Sequence, residues 1–107
     1  MSLKAPTLAE KEWMDAIVRI GCCVCIRTGR GPTPASVHHL LDAGHRRIGH
    51  LDTIPLCYSH HQANLNNSVI VSRHHWKREF ETRYGTEHEL LEWTINKVGE
   101  ERACVVS

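Results

Sequence analysis

Two short pairs of metal-binding residues limit what this chain can fold into more than any other feature of its sequence. Cys22 and Cys25 form a Cys-x-x-Cys pair, and Cys57 and His60 form a Cys-x-x-His pair. Three thiolates and one imidazole make a closed tetrahedral set that suits structural Zn²⁺. The spacing therefore predicts a small zinc-stabilised domain in which both pairs bind one ion. Buried thiols or a redox pair are the alternative interpretation.

The chain is short enough to need such an ion. Its 107 residues leave room for one domain, 1–107, and not for a two-domain enzyme with a separate cofactor-binding half. No apolar run approaches the roughly 20 residues of a membrane span, and the first residues lack the apolar core of a secretion signal. We therefore expect a cytoplasmic protein with no membrane partner, in which the 5 cysteines stay reduced.

Helix signals occupy the start of the chain, and strand signals follow. Thr7 and Glu10 have the spacing of a capping box, and apolar residues at helical spacing predict a helix over 7–20. Short β-permissive runs at 36–41 and 53–57 flank a polar loop and predict a hairpin. The zinc pairs and this hairpin place the core of the domain at about 21–67.

Helical patterns dominate the rest of the sequence. A helix is predicted from Tyr58 to about Leu65, and two more cover about 73–98. The last of these begins at a second capping box and ends at Gly99, with a loosely held tail after it. These elements together predict a small α+β fold.

The central segment resembles a known nuclease motif. His38 and His39 end the first predicted strand, Asp52 precedes the second, and His61 follows His60 directly. This order resembles the HNH, or ββα-metal, nuclease pattern. The flanking runs that carry a narrower likeness are Gly21–Cys25, His38–His50 and Arg78–Gly85. Over about 7–97 the chain is similar to the phage-encoded Ref family of RecA-dependent nucleases.

The resemblance implies a fold and a role for each residue of this segment. The fold would be a zinc-stapled, treble-clef-like ββα-metal core with flanking helices. His38 and His61 would bind a catalytic divalent ion, Mg²⁺ or a similar metal, and His39 would be the general base. Asp52, where the family usually has Asn, would orient that base through the loop backbone. Asn64, three residues past His61 on the expected helix, is a candidate third ligand.

These roles agree with the chemistry of phosphodiester hydrolysis. A neutral imidazole with a pKa near ~6.5 is a suitable base at neutral pH, and a divalent ion can stabilise the departing oxygen. Because neighbouring strand residues point to opposite faces, His38 and His39 can share a site only where the strand bends or ends. The alternative is that one of the two only packs or lies on the surface.

Basic residues provide candidates for contacts with the DNA backbone. These cations are Arg46, Arg47, Arg73 and Lys77. Such side chains bind phosphates and position a nucleic acid without reading its sequence. A solvated loop or helix face explains them equally well. His45 and His50 lie in the same loop as the first two, and His50 has two interpretations, a metal ligand or a solvated residue.

The sequence therefore predicts a metal-dependent DNA endonuclease with a histidine general base. The resemblance further implies DNA carrying a RecA filament as the partner and a role in phage or prophage recombination. A non-catalytic zinc module that binds nucleic acid or a protein is the alternative function. The set His38, His39 and His61 separates the two, because a binding module does not need it.

Overall fold

A short β-hairpin and five helices make up the described part of the chain. The computed structural model describes residues 4–42, 44 and 46–106, with side chains through residue 101. The elements follow in the order α1 (Leu8–Ile20), α2 (Cys23–Arg27), β1 (Ser36–His39), β2 (Thr53–Leu56), α3 (Tyr58–His61), α4 (Lys77–Tyr84) and α5 (Glu87–Val106). The predicted α+β class is confirmed. None of the helices in this described part is both long and apolar enough to span a membrane.

Helix α1 begins and ends as its sequence predicts. The Thr7 hydroxyl accepts a bond of 3.2 Å from the Glu10 amide, and the Glu10 carboxylate accepts one of 2.8 Å from the Thr7 amide. Gly21 ends the helix with φ +95°, and a Cβ there would lie 3.0 Å from the Thr33 carbonyl oxygen. The Cys22 amide donates to that same oxygen at 3.1 Å. Glycine therefore lets the first cysteine pair start immediately after α1.

The two strands pair antiparallel, with His38 opposite Ile54 and His39 opposite Thr53. All four residues of β2 are buried, and Pro55 fits there because the sheet has only two strands and its nitrogen needs no partner. Trp13 of α1 donates its indole N–H to the Thr53 hydroxyl at 2.9 Å. The hairpin is thereby fixed against α1 on one side.

Buried apolar side chains form two clusters around the hairpin. The larger one joins the cysteine turn, the strands and the last two helices, with Phe80 and Leu90 fully buried. The smaller one packs Ile17 and Ile20 of α1 against Val98 of α5. Helices from both ends of the chain thus hold the hairpin and the cysteine turn in place.

Two helix ends differ from the sequence prediction. Helix α3 ends at His61 and not near Leu65, because the chain turns through Asn64, whose φ is +57°. The Leu65 amide instead donates to the Ser72 hydroxyl at 2.9 Å, and the Ser72 amide donates to the Leu65 carbonyl oxygen at 2.8 Å. Helix α5 continues past Gly99 to Val106, so the predicted helix end at Gly99 was wrong. A glycine within a helix costs only about 1 kcal/mol, which packing of the long helix offsets.

Candidate metal centre and histidine cleft

The two predicted metal pairs meet at the start of α3. The ligand atoms of Cys22, Cys25, Cys57 and His60 all lie within 4.8 Å of one another. The His60 Nδ1 atom is 3.7 Å from the Cys22 sulfur, 3.4 Å from the Cys25 sulfur and 3.2 Å from the Cys57 sulfur. The sulfurs of Cys25 and Cys57 are 3.8 Å apart. The sequence prediction of a Cys₃His cluster is therefore matched in space.

These separations fit a tetrahedral ion. Ligands at about 2.3 Å for sulfur and about 2.0 Å for nitrogen around Zn²⁺ lie roughly 3.5–3.8 Å from one another. Burial lowers the pKa of His60 to about 4, with a further contribution from the Arg30 charge, so its imidazole is neutral and can bind a metal. Burial raises the pKa of the Cys22 thiol, and a bound cation would favour its thiolate form. The cluster could therefore hold a metal such as zinc.

Cys23 lies next to these ligands and is outside the cluster. It is fully buried in the larger apolar core, and burial raises the pKa of its thiol to about 12. An inert thiol in this position packs as a small apolar side chain.

A second group of polar side chains forms on the other side of α3. His38 and His61 approach with their Nδ1 and Nε2 atoms 3.0 Å apart. The second ring nitrogen of His38, Nε2, donates to the Glu87 carboxylate at 2.6 Å. Burial lowers the pKa of His61 to about 4, helped by the nearby charges of His38 and Arg73, so this imidazole is neutral. Nδ1 of His38 and Nε2 of His61 thus face each other.

The spacing of the two ring nitrogens suits a pair of metal ligands. Two ligands about 2.1 Å from one ion and at a right angle to each other are about 3.0 Å apart. Because Nε2–H of His38 donates to the Glu87 carboxylate, a neutral His38 has its lone pair on Nδ1. The pair could therefore hold a divalent ion between Nδ1 of one ring and Nε2 of the other.

Glu87 is the residue of this group that the sequence did not identify. Its carboxylate also accepts a 2.7 Å bond from Arg73, and its side chain is only 7% exposed. Burial alone would raise its pKa, but the bonds and charges of His38 and Arg73 outweigh burial and lower it to about 2. In the sequence Glu87 lies inside a predicted capping box. An acidic residue is expected at the start of a helix, so no sequence signal indicated that Glu87 bonds His38.

His39 pairs with a different histidine. Its Nε2 atom lies 3.0 Å from Nδ1 of His50, and Nε2 of His50 lies 2.7 Å from the Lys4 carbonyl oxygen. Partial burial lowers the pKa of His39, and the positive charge of Arg47 adds to this. The imidazole is therefore neutral at pH 7, which is the form that can accept a proton.

Although neighbouring strand residues diverge, His38 and His39 border the same cleft, because β1 ends at His39. The cleft has a volume of about 280 Å³. Its lining residues are Val37, His38, His39, Leu41, Arg47, His61, Gln62, Arg73 and His74. Imidazoles and two arginines thus surround a space open to solvent, a lining that suits an anionic ligand.

Asp52 touches the hairpin through its backbone. Its carbonyl oxygen accepts a 2.9 Å bond from the Leu40 amide, and its own amide donates to Gly49 at 3.2 Å. The Leu40 amide belongs to the peptide that follows His39. Asp52 can therefore influence the position of His39 through this main-chain hydrogen bond.

Other predicted site residues lie elsewhere. Asn64, beyond the end of α3, accepts a 2.9 Å bond from the Trp76 indole and does not line the cleft. Lys77 lines a separate shallow depression with Arg78, and the exposed Arg46 lies outside the cleft lining. His45 is outside the described residues. Only Arg47 and Arg73 of the predicted basic residues reach the cleft.

Comparison with known proteins gives a family match over most of the chain. Residues 6–99 match the family model described as recombination enhancement, RecA-dependent nuclease. This match confirms the resemblance to the Ref family of RecA-dependent nucleases. No curated protein matches the chain.

Proposed function

Since the chain belongs to the family of recombination-enhancement, RecA-dependent nucleases, we propose that it is a metal-dependent DNA endonuclease with a histidine general base. The observation that carries the proposal is that His38, His39 and His61 border one cleft. The chain is then a single HNH-type domain, 1–107, with its core at about 21–67. The order β1, β2, α3 beside a Cys/His cluster supports this assignment.

The proposed division of labour separates structure from chemistry. Zn²⁺ held by Cys22, Cys25, Cys57 and His60 fixes the start of α3 against the hairpin. His38 and His61 bind the catalytic divalent ion, which supplies positive charge to the phosphate and to the departing 3′-oxygen. Their imidazole nitrogens favour a transition-type ion such as Mn²⁺ over Mg²⁺, which prefers oxygen ligands.

His39 acts as the base in this proposal. Its neutral imidazole removes a proton from a water molecule beside the scissile phosphate, and the water attacks phosphorus. The bond to the 3′-oxygen breaks, this oxygen takes a proton from solvent water, and 5′-phosphate and 3′-hydroxyl ends remain. The lowered pKa keeps His39 unprotonated at neutral pH. Asp52 positions it through the backbone bond to Leu40.

The substrate is DNA bound by a RecA filament. Arg47 contacts the DNA phosphates at the cleft, and Arg73 does so while it remains bonded to Glu87. Phosphate contacts position the duplex without reading bases, so cleavage has little sequence preference. The family description supports a role in recombination and dependence on RecA.

Cleavage of circular single-stranded and double-stranded DNA tests the proposal. The protein is incubated with Mg²⁺ or Mn²⁺, with and without RecA and ATP, and nicks are counted on gels. We expect cleavage with RecA and a divalent ion, and no cleavage by His39→Ala at unchanged zinc content. His88→Gln, at an exposed histidine of α5, is the matched control and should cut like wild type.

Two outcomes would refute the proposal. One is a wild-type protein that cuts no DNA in any combination of metal, RecA and ATP. The other is His39→Ala that cuts as fast as wild type. Binding of DNA or RecA without cleavage would favour the non-catalytic zinc module instead.

A further inference from the structure

A chain of hydrogen bonds runs from the backbone of residue 4 through His50 to His39. We propose that His50 is a positioning residue that selects the tautomer of His39 and so leaves its Nδ1 atom free to take the proton from water. The inference rests on the proposed function, in which His39 is the base. It gives His50 a task that is neither metal binding nor exposure to solvent.

The direction of the hydrogen bonds follows from their first member. A carbonyl oxygen can only accept, so Nε2 of His50 carries the hydrogen that bonds Lys4 at 2.7 Å. When His50 is neutral it carries only this one N–H, so its Nδ1 atom is then an acceptor. The atom 3.0 Å away, Nε2 of His39, must then be the donor. A neutral His39 therefore has its hydrogen on Nε2 and its lone pair on Nδ1.

The geometry also holds the ring of His39 in place. The two rings lie edge to face, with centroids 5.2 Å apart and planes at 72°. When Nδ1 of His39 receives a proton, its Nε2–H continues to donate to His50, so no bond in the chain has to break. The positive charge that forms on His39 lies beside the lone pair of His50, which stabilises it.

Substitution of His50 by asparagine and by glutamine tests this assignment, because the amide group of each variant stands near a different ring nitrogen of His50. In His50→Asn, the amide oxygen stands near the position of Nδ1 and can still accept from His39. In His50→Gln, the amide stands near the position of Nε2, so the bond to Lys4 is kept and the acceptor for His39 is lost. Zinc content and melting temperature are measured for both variants, with His88→Gln as the control.

The kinetic readout separates positioning from folding. We expect His50→Gln to lower kcat roughly 10–100-fold with little change in KM, as the loss of an orienting partner usually does. His50→Asn should recover kcat to within a few fold of wild type. Equal kcat for His50→Gln and wild type would overturn the proposal. So would equal losses in both variants at wild-type zinc content.

A spectroscopic readout needs neither variants nor activity. Long-range ¹⁵N–¹H correlation spectra of the full zinc-loaded chain, at about pH 8 where ordinary imidazoles are neutral, report which nitrogen of His39 carries the hydrogen. We expect Nε2–H for His39 and Nε2–H for His50. The Nδ1–H tautomer of His39 would overturn the proposal even if the enzyme cuts DNA. So would a metal ion bound at the His39–His50 pair, detected as metal that is lost in His50→Ala and kept in His38→Ala.

The two proposals fail in different ways. If no DNA is cut but His39 has the expected tautomer, the nuclease assignment fails and the hydrogen-bond chain stands as structure. If wild type cuts, His39→Ala does not, and His50→Gln is fully active, only the role of His50 fails.

Discussion

Replacing Glu87 by glutamine should destabilise the folded protein, because Glu87 bonds two side chains that line the cleft, His38 and Arg73. Glu87 is only 5% exposed, and its carboxylate accepts hydrogen bonds from His38 at 2.6 Å and from Arg73 at 2.7 Å. Glutamine keeps the shape and one acceptor oxygen, but its NH₂ group faces a donor. The substitution therefore removes the negative charge between two buried partners without creating a cavity.

The expected magnitude follows from the pKa of Glu87. A carboxyl pKa that falls from 4.5 in the unfolded chain to about 2 in the fold corresponds to about 3 kcal/mol of stabilisation. Breaking one side of a buried ion pair usually costs 3–5 kcal/mol, and the retained acceptor reduces that, so we expect a loss of about 2–3 kcal/mol. For a domain of this size, such a loss lowers the melting temperature by roughly 10–20 °C.

The pH dependence has a definite sign. Because folding lowers the pKa of Glu87, its stabilisation is complete above pH 4.5 and is lost as the pH falls toward about 2. The difference in unfolding free energy between wild type and Glu87→Gln should therefore not decline as the pH falls from about 8 to 5.5.

Guanidinium unfolding of zinc-loaded protein at several pH values measures this difference. Glu92→Gln is the matched control, because Glu92 is exposed on the same helix and should change stability by less than about 0.5 kcal/mol. If Glu87→Gln were as stable as Glu92→Gln at neutral pH, the reasoning about this buried carboxylate would be refuted. A difference that declines steadily between pH 8 and 5.5 would also contradict it.

Two other predictions concern the metal cluster and the cleft. Strong chelation or Cys25→Ala should unfold the domain, because structural zinc contributes on the order of 10 kcal/mol and total stabilities are about 5–15 kcal/mol. Circular dichroism and zinc content measure this, and the control variant Cys23→Ala should keep its zinc. A chelated sample with unchanged melting would contradict the prediction. Arg47→Ala should weaken DNA binding and lower the slope of log affinity against log salt concentration by about 1, measured by titration at several salt concentrations. Arg46→Ala, outside the cleft lining, should change affinity and slope less. Equal effects of the two variants would contradict the placement of Arg47 at the DNA-binding surface.

Local patterns predicted the elements whose physics is local. The capping box at Thr7 and the glycine at 21 define α1 because both signals act within one helical turn. The hairpin was predictable from two short strand runs around a polar loop. The length of helix α3 was overestimated, because a further turn would compete with the hydrogen bonds between Leu65 and Ser72, which only the folded chain can form. Gly99 was read as a stop, but α5 is long enough to continue through it.

The four residues of the metal cluster were within reach of the sequence because their spacing is a property of single turns. Each pair, Cys22 with Cys25 and Cys57 with His60, lies three residues apart and turns its ligand atoms toward one point. The family was within reach for a similar reason, since the match over residues 6–99 rests on the order of residues along the chain.

The partners of the cleft histidines depended on packing between distant segments. Glu87 is 49 residues from His38, and the Lys4 carbonyl is 46 residues from His50. No local spacing records such contacts, because they exist only after α5 and the start of the chain have packed around the hairpin. The sequence therefore sufficed for the Cys₃His cluster and the family, whereas tertiary packing alone determined which nitrogen of His38 bonds Glu87 and which nitrogen of His39 faces His50.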